Sequence, residues 1–161
     1  MWIGLKGLGL VSMNTRPIEI LLAEDNMADA KLTVEGFKDA TVKHHITVLS
    51  DGQQVMDHLN RERQNPDRLL PDLIILDLNM PKKTGHEVLA ELKADDELSM
   101  IPVLIFTASD AQADILEAYR LHASAYLTKP IDFGEFTRLV RSIDEFWFNF
   151  VKLPAAFIHG Y

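Results

Sequence analysis

Cysteine is absent from the sequence, and this absence excludes disulfide bonds and thiolate metal sites. Long apolar runs are missing too, since none approaches the roughly 18 residues that a transmembrane helix needs. A surplus of basic residues is also lacking: the formal net charge is −8, which argues against binding of nucleic acids or anionic membranes. We therefore expect a cytoplasmic protein that binds neither. The 161 residues, 47% hydrophobic and 25% charged, suit one globular domain.

The segment MWIGLKGLGLVS at the start of the chain makes a poor signal peptide, because it has one lysine and no small-residue cleavage pattern. Met13 offers an alternative start. We expect residues 1–16 to form an N-terminal extension outside the fold, residues 17–151 to form the domain, and residues 152–161 to form a C-terminal tail.

Apolar runs alternate with amphipathic segments along the rest of the chain. The runs that predict strands are IEILLA (18–23), HITVL (45–49), LIIL (73–76), PVLIF (102–106) and SAYL (124–127). Helical patterns occupy residues 27–38, 53–63, 86–94, 111–121 and 133–150. Capping-box spacing marks four helix starts, at Asp51, Thr84, Ser109 and Asp132. Strict alternation of strand and helix predicts an α/β fold: a doubly wound, five-stranded parallel sheet with helices on both faces.

Polar side chains follow four of the five predicted strands. They are Glu24 and Asp25 after the first, Asp77 after the third, Thr107 after the fourth and Lys129 after the fifth. Each has an ordinary explanation as a helix cap, a loop residue or a surface lysine. However, ligands of open parallel sheets bind beyond the carboxyl ends of the strands. The set as a whole therefore predicts a functional site at this edge.

The chemistry of this set favours phosphoryl transfer. Crowded carboxylates either take up a proton or bind a cation, and an all-oxygen set prefers a hard ion such as Mg²⁺. A lysine and a hydroxyl can hold phosphoryl oxygens, and a carboxylate can attack phosphorus to form an acyl phosphate. We therefore expect Asp77, at the end of a buried strand, to be phosphorylated, with Mg²⁺ and Lys129 stabilising its charge.

The motifs LLAEDN, LIILDLNMPKKTGHE, LIFTAS and AYLTKP resemble the receiver domain of two-component response regulators, from about Ile18 to Val151. The resemblance implies a flavodoxin-like or CheY-like (βα)5 fold. It also implies that a histidine kinase phosphorylates Asp77, and that the domain is a signalling switch rather than a turnover enzyme. Because only VKLPAAFIHGY follows the last helix, we expect no output module.

The resemblance also assigns roles to the residues of the site. Mg²⁺ would be held by Glu24, Asp25, Asp77 and the backbone carbonyl of Asn79. The phosphoryl group would contact Thr107 and Lys129. Thr107 and Tyr126 would act as the conformational switch, and the Lys129–Pro130 bond would be a cis peptide. The kinase would dock on the first helix, around Ala28, Lys31, Leu32 and Glu35.

The last helix carries an apolar stripe with additional aromatic residues at its end. Phe146, Trp147 and Phe150 fall on the stripe and Phe148 falls off it, so we expect these four residues to form a homodimer interface. The amino-acid sequences of the segments MPKKTG and LHASAYLTKPIDF are most similar to those of the small stand-alone regulators paired with cyanobacterial phytochromes. The kinase partner would then be a light-sensing histidine kinase.

Three alternatives compete with this interpretation. A phosphatase of the haloacid dehalogenase type needs an Asp-x-Asp motif, whereas the sequence reads Asp77-Leu78-Asn79. A nucleotide-binding Rossmann domain needs a glycine-rich turn after its first strand, and AEDNMADA has no glycine. A degenerate receiver that acts as a constitutive interaction or dimerisation module is the third, and a failure to bind Mg²⁺ would favour it.

Overall fold

The computed structural model describes residues 16–154, and the rest of the predicted extension and tail lies outside these residues. Five parallel strands form one sheet in the order β2-β1-β3-β4-β5. The strands are β1 (Ile18–Ala23), β2 (His44–Leu49), β3 (Leu73–Leu76), β4 (Val103–Thr107) and β5 (Ala125–Thr128). The helices are α1 (Met27–Gly36), α2 (Gly52–Gln64), α3 (Gly85–Ala94), α4 (Gln112–Arg120) and α5 (Phe133–Asn149), with a 3₁₀ turn at Leu98–Met100. The predicted doubly wound parallel sheet is confirmed.

Alternate residues of the strands supply two hydrophobic layers, one on each face of the sheet. Ile74 and Leu76 of β3 pack with α2, α3 and α4, whereas Leu73 and Ile75 pack with α1 and α5. All four side chains are fully buried. A strand covered on both faces needs apolar residues at every position, which explains the uninterrupted LIIL run.

The order of the strands reverses between β1 and β3. The chain passes from β1 to β2 on one side and then crosses to place β3 on the other. Ala23 at the end of β1 pairs with Leu76 at the end of β3, and the Asp77 amide donates to the Ala23 carbonyl at 3.0 Å. The residues that follow these strands therefore meet at the switch point, where open α/β sheets bind their ligands.

Three of the four predicted helix caps are present. Asp51 and Asp132 accept from the amides of Gln54 and Glu135, and Thr84 forms a complete capping box with Glu87. The prediction for Ser109 is wrong, because α4 begins later, after Ala111, without a side-chain cap. The Ser109 hydroxyl oxygen accepts from the Ala111 amide at 3.3 Å, before the helix starts, and the hydroxyl donates to the Asp114 carboxylate at 2.5 Å.

Arg16 lies against the opposite edge of the sheet from the predicted site. Its guanidinium donates two hydrogen bonds to the buried Asp72, at 3.0 and 2.7 Å. The Glu19 amide donates to the same carboxylate at 2.8 Å. Arg16 is thus bound to the domain, one residue before the predicted boundary. Within residues 16–154, no helix has both the length and the apolar character needed to cross a membrane.

Candidate functional site

Three acidic side chains meet beyond the carboxyl ends of β1 and β3. Glu24 and Asp77 are buried and Asp25 is exposed. One oxygen from each lies within 4.8 Å of the others, so a single metal ion could contact all three. Carboxylate oxygens at this spacing suit a hard divalent cation. The structure therefore brings together the three acids that the sequence predicts.

Lys129 reaches the same point from the end of β5. Its backbone amide donates to the Thr107 carbonyl at 2.7 Å, which fixes the start of its side chain. Its ammonium donates to Asp77 Oδ2 at 2.8 Å and also pairs with Glu24 Oε1. The side chain is only 6% exposed. A buried lysine needs such carboxylate partners, because an unpaired charge is costly away from water.

Burial and crowding give the two buried acids different pKa values. Burial, together with the neighbouring Asp77, raises the pKa of Glu24 to about 7 from its ordinary 4.5. Burial acts on Asp77 in the same direction, but hydrogen bonds from Lys129 and Glu24 outweigh it and lower its pKa. Near neutral pH, the Asp77 carboxylate is therefore ionised, and the Glu24 carboxyl group is partly protonated. Such a pair is ready to exchange that proton for a cation.

The hydroxyl of Thr107 is buried at the end of β4. It helps to lower the pKa of Asp77, although its Oγ1 makes no hydrogen bond of good geometry within the described part of the chain. A buried hydroxyl without a partner is unusual and costs stability. It is therefore available to a group that binds beside Asp77.

Tyr126 lies one strand away, half-buried on β5. Its hydroxyl donates to the Ser109 carbonyl at 2.8 Å, in the loop that follows β4. Burial raises its pKa, so the hydroxyl remains a donor. This contact joins β5 to the loop that follows Thr107.

The backbone on either side of Asp77 is held tightly. The Asn79 amide donates to Asp77 Oδ1 at 3.2 Å, and the Gly85 amide donates to the Leu78 carbonyl at 2.9 Å. A Cβ atom on Gly85 would lie 2.3 Å from the Asp77 carbonyl oxygen. Only glycine lets α3 approach this strand end so closely, which explains the glycine in MPKKTG.

The predicted cis peptide is wrong. No cis peptide bond occurs among the described residues, so the Lys129–Pro130 bond is trans. Trans is the lower-energy form even before proline, by about 0.5–1 kcal/mol. In this conformer the Lys129 ammonium already reaches its carboxylate partners, so the contacts of the site do not require the cis form.

Asp29 is a residue of the site that sequence reasoning missed. Its Oδ2 accepts from the Lys129 ammonium at 2.8 Å. The available signal was its position in the first turn of α1, because that turn follows β1 directly and lies at the same edge of the sheet.

The four aromatic residues predicted as an interface do not share one surface. Phe146 and Phe150 are 57% and 75% exposed. Phe148 instead packs within the domain, stacked on Phe37 with ring centroids 5.7 Å apart, and Trp147 packs against the same hydrophobic layer. Phe148 is off the stripe but meets the end of α1, so it is less accessible to a second chain than Phe146 and Phe150 are.

Comparison with known proteins agrees with this geometry. The family model described as "Response regulator receiver domain" matches residues 20–141. The response regulator Rcp1 of Synechocystis sp. is 41% identical over 140 residues, which cover 87% of this chain and 95% of Rcp1. The probable methanogenesis regulatory protein FilR2 of Methanothrix harundinacea is 38% identical over 138 residues, which cover 86% of this chain and 88% of FilR2.

Two solved structures have a similar fold. The Mn²⁺-bound form of Rcp1 gives a TM-score of 0.81 at 40% identity, covering 86% of this chain and 99% of that one. The phosphorylated cyanobacterial phytochrome response regulator RcpA gives the same score at 41% identity, with the same coverage. The predicted CheY-like fold and the resemblance to regulators of cyanobacterial phytochromes are confirmed.

Proposed function

This chain belongs to the response regulator receiver domain family, whose members act in signalling, and on that premise we propose that it accepts a phosphoryl group on Asp77 from a histidine kinase. The acyl phosphate then alters the surface through which the domain contacts its partners. One observation carries the proposal: Asp77 is a buried carboxylate at the end of β3, bonded to Lys129 and grouped with two further acids.

In the proposed reaction, a carboxylate oxygen of Asp77 attacks the phosphorus atom of a phosphohistidine. A bond between this oxygen and phosphorus forms, and the bond between phosphorus and the histidine nitrogen breaks. The attacking oxygen must be unprotonated, and the lowered pKa of Asp77 keeps it so. Lys129 neutralises charge on the transferred group, and the Thr107 hydroxyl can donate to one of its oxygens.

Mg²⁺ is the ion that we propose for the acidic cluster. Glu24, Asp25 and Asp77 would hold it, together with the backbone carbonyl of Asn79. The three carboxylates fit such an ion because their oxygens lie close together and carry more negative charge than one lysine neutralises. When bound, the ion would neutralise charge on the phosphoryl oxygens. Receiver domains bind divalent metals, and the Rcp1 structure is described as Mn²⁺-bound.

Thr107 and Tyr126 would carry the change away from the site. A phosphoryl group on Asp77 offers hydrogen bonds that only one conformer of the domain can complete. Movement of Thr107 toward that group would shift the loop after β4, and with it the Ser109 carbonyl that Tyr126 now contacts. Tyr126 could then adopt another rotamer, so that the surface formed by α4, β5 and α5 changes shape.

The partner that we propose is a phytochrome-like, light-sensing histidine kinase. RcpA is described as a phytochrome response regulator, and this chain is 41% identical to it. The kinase would contact α1, where Ala28, Lys31 and Glu35 are exposed and Leu32 is half-buried. A homodimer would use the exposed Phe146 and Phe150 at the end of α5.

Labelling with radioactive acetyl phosphate in the presence of Mg²⁺ tests the reaction without a kinase. We expect wild type to acquire a label that hydroxylamine releases, and Asp77→Asn to acquire none. Asp72→Asn, at the other end of the same strand, serves as the matched control and should be labelled. Persistent label in Asp77→Asn would contradict the proposal. Phosphotransfer from a panel of purified histidine kinases would then identify the partner.

A further inference from the structure

The Lys129 ammonium has three N–H donors, and three carboxylates surround it. Glu24 and Asp77 supply two of these contacts, and Asp29 supplies the third at 2.8 Å. Glu24 and Asp77 also belong to the group of acids whose oxygens could share one metal ion, whereas Asp29 does not, among the residues that the structure describes. Asp29 is therefore the one partner of Lys129 that stands outside the proposed metal site.

This difference matters when a divalent cation binds. A cation held by these acids would compete with Lys129 for the oxygens of Glu24 and Asp77, and its charge would repel the ammonium. A lysine side chain has four rotatable bonds and gains freedom when its partners are withdrawn. Asp29 lies outside the metal cluster, so its contact with the ammonium does not involve an oxygen that the ion would take.

The backbone of Asp29 is held in place at the start of α1, which fixes the point from which its side chain extends. Its amide donates to the capping side chain of Asn26 at 3.0 Å, and the hydroxyl of the buried Thr33 donates to its carbonyl at 2.8 Å. At the other end of the contact, the Lys129 amide is bonded to Thr107. An acid in the first turn of a helix is favourable without any partner, but that preference does not explain a direct bond to a lysine 100 residues away.

We propose that Asp29 is a positioning residue for Lys129: it anchors the ammonium beside Asp77 while the metal ion occupies Glu24 and Asp77. The inference rests on the proposed phosphorylation of Asp77. Asp29 acts through Lys129 and contacts neither the phosphoryl group nor the ion. Removing the Asp29 carboxylate should lower the affinity for a phosphoryl group more than the affinity for the metal ion.

Beryllofluoride, which mimics a phosphoryl group on a carboxylate, is the probe for the test. Its affinity is measured by ¹⁹F NMR at saturating Mg²⁺, and Mg²⁺ affinity is measured separately by calorimetry. We expect Asp29→Ala to weaken beryllofluoride binding about tenfold, at the lower end for loss of a residue that orients a ligand. Mg²⁺ affinity should fall less than about threefold. Asp29→Asn, which keeps an oxygen acceptor, should be intermediate, and it replaces Asp29→Ala if that variant does not fold.

Two comparisons make the test decisive. Asp57→Ala removes an exposed acid of α2 that bonds only Gln53 among the described contacts, and it should bind both probes like wild type. In a Lys129→Ala background, the effect of Asp29→Ala on beryllofluoride should disappear, because a positioning residue acts only through its partner. Equal beryllofluoride affinity in Asp29→Ala and Asp57→Ala would overturn the inference. So would an effect of Asp29→Ala on beryllofluoride affinity that stays the same in the Lys129→Ala background.

Failure of the proposed function gives a different result. If wild type does not bind beryllofluoride at all, Asp77 is not a phosphoryl acceptor and both ideas fall. If wild type and Asp29→Ala bind it equally, the phosphoryl site stands and only the role of Asp29 is lost.

Discussion

Asp72 and Asp77 lie at opposite ends of β3 and are buried to a similar degree, with 4% and 6% of their surfaces exposed. Asp72 has a basic partner of its own: Arg16 binds both of its oxygens, and the Glu19 amide adds a third bond. Asp77 shares its one lysine with two other acids. The same residue type on the same strand is thus fully neutralised at one end and left with excess negative charge at the other.

The difference separates an acid with its own basic partner from the acid that we propose to be phosphorylated. A buried carboxylate that is paired with its own arginine and bonded to a backbone amide needs no added cation. Around Asp77, by contrast, one ammonium faces three carboxylates, and the Thr107 hydroxyl has no hydrogen-bond partner among the described residues. A bound cation would offset the excess negative charge. Burial alone does not distinguish the two ends of β3, whereas the ratio of basic to acidic side chains at each end does.

Substitution of the basic residue at the Asp77 end should give the largest effect. We expect Lys129→Ala to slow labelling by acetyl phosphate about 10²–10³-fold, since it removes a charge that stabilises the transferred group. Mg²⁺ binding should persist, because the three acids remain. Quench-flow or filter assays measure the rate, and Lys38→Ala, an exposed lysine of the loop after α1, is the control. A rate near that of the control would show that the two ends of β3 do not differ as described.

Substitution at the other end should affect folding and leave the chemistry intact. Arg16→Ala leaves the Asp72 carboxylate buried without its main partner, so we expect the free energy of unfolding to fall by about 2 kcal/mol. Urea titration followed by circular dichroism measures this loss. Arg138→Ala breaks an exposed pair with Glu135 and should change stability by less than about 0.5 kcal/mol. A changed labelling rate in Arg16→Ala would contradict the expectation that the Asp72 end of β3 affects only folding.

The excess negative charge at the Asp77 end should also make the affinity for Mg²⁺ depend on pH. The Glu24 pKa is raised to about 7, so below pH 7 the metal-free protein holds a proton that an ion must displace. Affinity for Mg²⁺ should therefore rise as pH increases through 7, and be about tenfold weaker at pH 6 than at pH 8, since a group with this pKa is about nine-tenths protonated at pH 6.

Calorimetric titration with Mg²⁺ at the two pH values measures this difference. Glu24→Gln removes the titrating group and is the control, with weaker binding but little change between pH 6 and pH 8. Wild-type affinity that stays constant between these values would mean that no proton competes with the ion.

The smallest effect on folding is expected far from both ends of β3, at the end of α5. Phe146 and Phe150 are exposed, so replacing both with serine should change the free energy of unfolding by less than about 0.5 kcal/mol per site. The same change should convert a dimer to a monomer in sedimentation velocity. Phe133→Ser alters a similarly exposed phenylalanine at the start of α5 and should leave the mass unchanged. A dimer that survives the double substitution would place the interface elsewhere.

Much of the fold could be predicted because its signals are local. The period of apolar residues and the capping residues Asp51, Thr84 and Asp132 act within one element, and strand alternation allows few topologies. Ser109 was misassigned because the helix cap falls at Ala111, two residues later, so the Ser109 hydroxyl oxygen accepts from the Ala111 amide and not from the helix. The identity of the acids at the site also followed from local order, since each comes directly after a strand.

The sequence by itself determined which residues reach the edge of the sheet, because strand ends and helix starts are set by neighbours in the chain. The grouping of Asp77 with Lys129 was also predicted, but tertiary structure alone decided other contacts. Arg16 meets Asp72 across 56 residues and Lys129 meets Asp29 across 100, and Phe148 turns inward onto Phe37. Such contacts depend on the relative placement of whole helices and strands. The energy of a charge pair depends on a distance of a few ångströms between the charged atoms, and spacing along the chain does not determine that distance.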